Sequence, residues 1–161
     1  KTDAEDNNAD AFNSTLMGDT VFNLGTHTGT NGSGNNYIAY LFSSKNGFSK
    51  MGSYTGNGNA DGPFIYTGFR PAFTICKIYS GNTNNWKVVD DKRPGYNMNN
   101  KTLNADSSGV EGTEDNCDYL SNGFKIRRNG NDVNGNGYKY IYAAFAEFPF
   151  VSSNSKPGTS R

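Results

Sequence analysis

Nucleophilic catalysis by a Ser-His-Asp or Cys-His relay requires a histidine, and the chain has one, His27, in a polar turn two residues after Gly25. Its setting is that of a surface histidine. Carboxylates for a polysaccharide-cleaving pair are available at Asp90, Asp91, Glu111, Glu114, Asp115 and Asp118, and that chemistry needs two of them at a fixed separation across a sugar ring. Solvated loop carboxylates are the simpler reading, and Glu147, between Ala146 and Phe148, reads as a rim residue at a strand end. Residues 132–137, Asp-Val-Asn-Gly-Asn-Gly, open like a calcium loop, but its twelfth position falls on Ala143, which removes the bidentate carboxylate. A plain turn with no metal and no cofactor is expected there. No catalytic residue is assigned, and the chain is expected not to be an enzyme.

Binding chemistry is better supplied. Tyr54, Tyr66, Tyr79, Trp86 and Tyr96 offer apolar ring faces on which a sugar can stack. Trp86 lies close to Val88 and Val89 and reads first as a core anchor, whereas Tyr96 follows Pro94 in an open loop. Arg127 and Arg128 form a basic doublet near the last turn, usable by an acidic glycan. Tyr96, Trp86, Arg127 and Arg128 are therefore the candidate ligand contacts. Arg70, at a strand entry after Gly68-Phe69, is expected to hold a loop carbonyl or carboxylate. Cys76 and Cys117 are too few for a disulfide framework and lack metal-knuckle spacing, so two buried thiols are the first expectation and a disulfide the second.

These residues need a scaffold, and composition points to sheet. Only 34% of residues are hydrophobic, yet 11 Phe and 10 Tyr supply the apolar area as large rings suited to pleated surfaces. Twenty glycines, with many asparagines, provide the turns. Strand runs are expected at residues 20–24, 37–42, 48–55, 64–67, 72–79 and 86–89, with a final hairpin pairing 119–126 with 138–145. Residues 95–115 read as a long surface loop and 1–19 as an arm. The fold class expected is an all-β, antiparallel, jelly-roll-like β-sandwich with long loops. It divides into an arm and hairpin over 1–45, a complete sandwich over 46–150 and a tail over 151–161. A segment as short as 1–42 cannot bury enough apolar surface alone, so it is expected to lean on the body or on a neighbouring chain.

Fifteen basic and fifteen acidic residues leave a formal charge of zero and no footprint for tracking phosphates. Nucleic acid is not an expected partner. No apolar run approaches the roughly 18 residues of a membrane span, and the first residues lack the order of a secretory signal. Because the chain begins with Lys1, it reads as a piece of something longer.

A repeat organises the ends of the sequence. Phe22-Asn23-Leu24, Asn31-Gly32-Ser33-Gly34 and the aromatic run 37–42 match Phe124-Lys125-Ile126, Asn134-Gly135-Asn136-Gly137 and the run 140–145. The turn and aromatic run share an offset of 103 residues, which implies duplicated units and similar hairpins in both places. Together with Gly52-Ser53-Tyr54-Thr55-Gly56-Asn57-Gly58, Asp61-Gly62-Pro63, Gly68-Phe69-Arg70-Pro71, Trp86 with Asp90, Asp91 and Arg93, and the closing Tyr140-Ile141-Tyr142-Ala143-Ala144-Phe145-Ala146-Glu147, these positions are specific. Over residues 20–150 they resemble a C-terminal domain family of marine bacteriophage tail-fibre and virion structural proteins, often found with concanavalin-like lectin modules. The resemblance implies a virion protein assembled in the host cytoplasm, with other virion subunits as partners and a homo-oligomer, most simply a trimer. It implies no catalytic residues. Attachment to a host cell-surface glycan is the first expectation, a decoration or cement role the second and a polysaccharide depolymerase the third.

Overall fold

The computed structural model describes residue 11 and residues 20–93 and 97–149. The rest of the expected arm over 1–19, the tail over 151–161 and Tyr96 lie outside them. The chain divides into two compact units, parted between Leu41 and Phe42.

The larger unit is all-β. Its strands are β1 (Ser49–Thr55), β2 (Phe64–Tyr66), β3 (Pro71–Ser80), β4 (Lys87–Asp90), β5 (Asn99–Asn104), β6 (Gly112–Leu120), β7 (Gly123–Ile126) and β8 (Lys139–Ala146). They form one sheet in the order β1-β8-β3-β4-β5-β6-β7-β2, every neighbouring pair antiparallel. Period-two burial is clear in β8, where Tyr140, Tyr142 and Ala144 point inward while Lys139 and Ile141 point out. The sheet curls until its halves share one core, nearly closing into a barrel. Cys76, Val89, Tyr142 and Ala144 from one half meet Cys117, Tyr119, Phe124 and Ile126 from the other. Phe124 meets Tyr142 edge-on with centroids 5.4 Å apart, and Tyr54 stacks on Tyr140 at 4.9 Å. The Tyr119 hydroxyl spans the core from β6, 2.8 Å from Thr74 Oγ1 and donating to the Val89 carbonyl at 2.9 Å. The all-β, antiparallel class expected of the sequence is the class observed.

Three expectations are corrected. Residues 119–126 are not one strand, because a turn at Ser121 and Asn122 divides them and β7 folds back on β6 with Leu120 opposite Gly123. Their expected partner β8 pairs instead with β1 and β3, in the middle of the sheet. The long loop over 95–115 contains β5 and the start of β6. β5 buries Asn99 and Thr102 rather than apolar side chains, and the core residues of β6, Cys117 and Tyr119, lie beyond residue 115, so no hydrophobic alternation marks this stretch.

In the smaller unit, residues 20–41 form no strand, and the hairpin expected over 20–42 is absent. A single turn, α1 (Thr28–Asn31), stands where its glycine turn was to begin. His27 caps this turn, its Nδ1 accepting from the Gly29 amide at 3.1 Å. The Tyr37 hydroxyl donates to the Thr28 carbonyl at 2.6 Å and accepts from the Gly32 amide at 2.9 Å. Local bonds of this kind compete with a ladder for the same backbone groups. The sequence repeat thus has no matching pair of hairpins.

Candidate ligand-binding site

Among the cavities of the β unit, two are lined by described residues. The first opens between the two free edges of the sheet, β1 and β2. It measures about 290 Å³ and is lined by the turn that enters β1, with Lys45 and Asn46, by Lys50 on β1, and by Tyr66, Thr67 and Gly68 at the end of β2. Gly47, at φ 68°, makes that turn possible. The Lys45 amide and carbonyl both pair with Ser49, at 2.9 and 3.0 Å. Ser49 Oγ donates to the Ser43 carbonyl at 2.7 Å, and Ser44 Oγ accepts from the Met51 amide at 3.0 Å. The opposite wall is equally fixed, since the Thr67 and Gly68 amides both donate to the Asn122 carbonyl, at 3.0 and 3.1 Å.

The rings of this site come from β2. Strand alternation buries Ile65 and turns Phe64 and Tyr66 outward, leaving them 44% and 64% exposed. Their side chains leave the same face roughly 7 Å apart along the strand. Gly123 on β7 permits this, because a Cβ there would lie 2.2 Å from the Ile65 carbonyl and 2.8 Å from the Phe64 ring.

The second cavity is wider and shallower, about 500 Å³, and includes Ala60, Thr113, Glu114, Arg127, Arg128 and Asn129 in its lining. Both arginines proposed from sequence face it, but both are engaged. Arg128 pairs with Glu114 and, through Nε, with Asp132 at 3.3 Å, while Arg127 Nε lies 3.3 Å from Asp118. Lys87 completes the network, 3.1 Å from Asp132 and 3.3 Å from Glu114. Partial burial pushes the Glu114 carboxyl up, but Lys87 and Arg128 outweigh it and hold the group below the usual carboxylate range. It is an ionised acceptor at neutral pH, the wrong state for a general acid.

The remaining candidates fall elsewhere. Trp86, just before β4, is half-buried, and its amide donates to Asp106 at 3.1 Å. It lies outside the core cluster and among neither cavity's named lining residues. Arg70 does hold carboxylates, with Nη1 3.2 Å from both Asp91 and Glu147. Asp90 and Glu111 share Arg93, at 2.6 and 3.0 Å. Every carboxylate weighed for hydrolysis whose side chain is described therefore has a basic partner. In the calcium-like turn, Asp132 belongs to the ion network and the Asn134 side chain bonds Asn57, Asn59 and Arg128.

Sequence reasoning named Tyr66 among the stackable rings but passed over Phe64, Lys45 and Lys50. The available signal was Phe-Ile-Tyr at residues 64–66, an alternating triplet between Pro63 and Gly68, as expected of a short edge strand. Residues 1–149 match the family model described as Domain of unknown function (DUF7483). That share of the chain places it in this family. No curated protein and no solved structure matches it.

Proposed function

We propose that this member of the DUF7483 family is an exposed structural module of a bacteriophage virion, of the tail-fibre or surface kind, that attaches reversibly to a host-surface glycan. It works by binding, not catalysis. The virion setting and a trimeric assembly with other virion subunits rest on the motif resemblance over residues 20–150. The observation that carries the binding role is the outward pair Phe64 and Tyr66 on the free edge strand β2, beside a cavity with fixed walls. Large rings with only two side-chain torsions lose little entropy on meeting a ligand, which favours recognition. Among the described residues that line the two cavities, Glu114 is the single carboxylate, so a hydrolytic pair finds less support than a contact surface.

An architectural reading, decoration or cement, is favoured by a different observation. In the smaller unit Ile38, Tyr40 and Leu41 are 80%, 78% and 72% exposed. Such an apolar run is suited to cover by a neighbouring subunit.

Titration against a panel of bacterial-surface oligosaccharides separates the two. For the attachment role, Tyr66→Ala and Phe64→Ala each weaken binding about tenfold, equivalent to about 1.4 kcal/mol, with the melting temperature unchanged. Failure of every oligosaccharide to bind, or equal affinity in both variants, would overturn that role.

A further inference from the structure

We infer that the cavity beside β2 takes an acidic sugar residue, one carrying a carboxylate or a sulfate, with the Lys45 and Lys50 ammonium groups as its anion contacts and Tyr66 as its stacking face. The inference rests on the glycan-attachment reading and deepens it by naming the ligand class. Its basis is charge accounting. Among the described residues, basic side chains are almost all taken: Arg70, Lys87, Lys92, Arg93, Lys101, Lys125, Arg127 and Arg128 pair with carboxylates, and Lys77 donates to the Asn84 carbonyl. Lys45, Lys50 and Lys139 are the three with no such partner, and two of them line this one cavity.

Among the described residues, that lining holds no carboxylate. In a chain of formal net charge zero, two lysines without a carboxylate partner lining one recess make a local positive field, which an anion relieves. The other lining groups suit a sugar. Asn46 lines the wall as well, and its side-chain amide offers both donor and acceptor character to a hydroxylated ring. A volume of about 290 Å³ sits at the lower end of small-molecule sites, which suits one ring with its anionic substituent. Phe64, next outward-facing residue along β2, offers a second face to the neighbouring sugar of a chain. Single-stranded nucleic acid shares the needs for rings and cations, but it is bound along a continuous basic groove. Paired arginines and lysines elsewhere leave no such track.

Isothermal titration of the full chain at constant ionic strength tests this with four probes: oligogalacturonate, sulfated dextran oligosaccharide, uncharged dextran oligosaccharide and oligothymidylate. One or both acidic sugars are expected to bind at least tenfold more tightly than uncharged dextran, the stronger of the two naming the anion. The double variant Lys45→Gln with Lys50→Gln is expected to lose at least tenfold toward that sugar and less than twofold toward uncharged dextran. Both side chains are exposed, so an unchanged melting temperature checks that folding is intact. Equal affinity for charged and uncharged sugars, or an unaffected double variant, overturns the acidic-sugar inference while glycan attachment stands. Tighter binding of oligothymidylate also overturns it. Binding of no saccharide removes both readings.

Discussion

Cys76 and Cys117 show what the core does to a reactive side chain. They are free thiols in the shared interior of the sheet, and burial is the main cause that pushes Cys76 up to about 12 and Cys117 well above its ordinary range. The thiolate is the reactive species. A rise from 9.0 to about 12 at Cys76 lowers its population about a thousandfold at neutral pH. Alkylation by iodoacetamide at pH 8 should thus be slower by about a thousandfold in the folded chain than in urea, read by mass spectrometry; equal rates would place a thiol at the surface. The linkage has a definite sign. With the folded-state value raised, the unfolded chain loses its proton first, so stability is full below about pH 9 and falls as pH climbs toward 12. Two buried thiols were legible in the sequence, because a lone pair of cysteines in an aromatic β chain is most simply core. Lys45 and Lys50 were not legible, since what distinguishes them is the pairing of the other cations, a property of three-dimensional neighbours.

Among the elements, the loops at 56–62 and 127–137 depend on one another through Asn134, which is fully buried. Its Oδ1 accepts from the Asn57 amide at 2.8 Å, while Nδ2 faces the Asn59 and Arg128 carbonyls at 2.7 and 2.8 Å. Close backbone approach requires glycine at the same place: a Cβ on Gly56 would lie 2.3 Å from the Gly135 carbonyl. Asn134→Ala removes the side-chain partner of the Asn57 amide and of the Asn59 and Arg128 carbonyls, at about 1 kcal/mol each. A loss of about 2–4 kcal/mol in urea unfolding is expected, and a loss below about 0.5 kcal/mol, the scale of an ordinary surface substitution, would show that the loops hold without it. The glycine motifs at 52–62 and 134–137 could be read from sequence as turn chemistry. That they lock to each other could not, because the partners lie 77 residues apart. Strands β1, β3 and β4 were legible within a residue or two as short runs bounded by turn residues. β5 escaped because Asn99-Asn100-Lys101-Thr102-Leu103-Asn104 buries amide and hydroxyl groups, to which a hydrophobic-period search is blind. The aromatic run at 37–42 misled in the opposite direction, having strand composition but no strand.

At the scale of the whole molecule, the β unit has a curled sheet whose two edges flank a cavity, with outward rings on one edge and unpaired ammonium groups beside them. Edge strands are a hazard unless short or charged. β2, with three residues, is short, and β1 carries Lys50 next to the exposed turn at Lys45. Those same features make the edge a usable contact surface: a short, charged edge disfavours sheet-to-sheet pairing while presenting aromatic area to something else. The attachment and cement readings differ in what that something is. A cryo-electron microscopy reconstruction of a phage particle whose genome encodes this chain tests the proposed attachment role most directly. The expected result is the domain at an outer surface, with Phe64, Tyr66, Lys45 and Lys50 open to solvent. Absence of the chain from the particle, or burial of these four side chains against a neighbouring subunit, would contradict it.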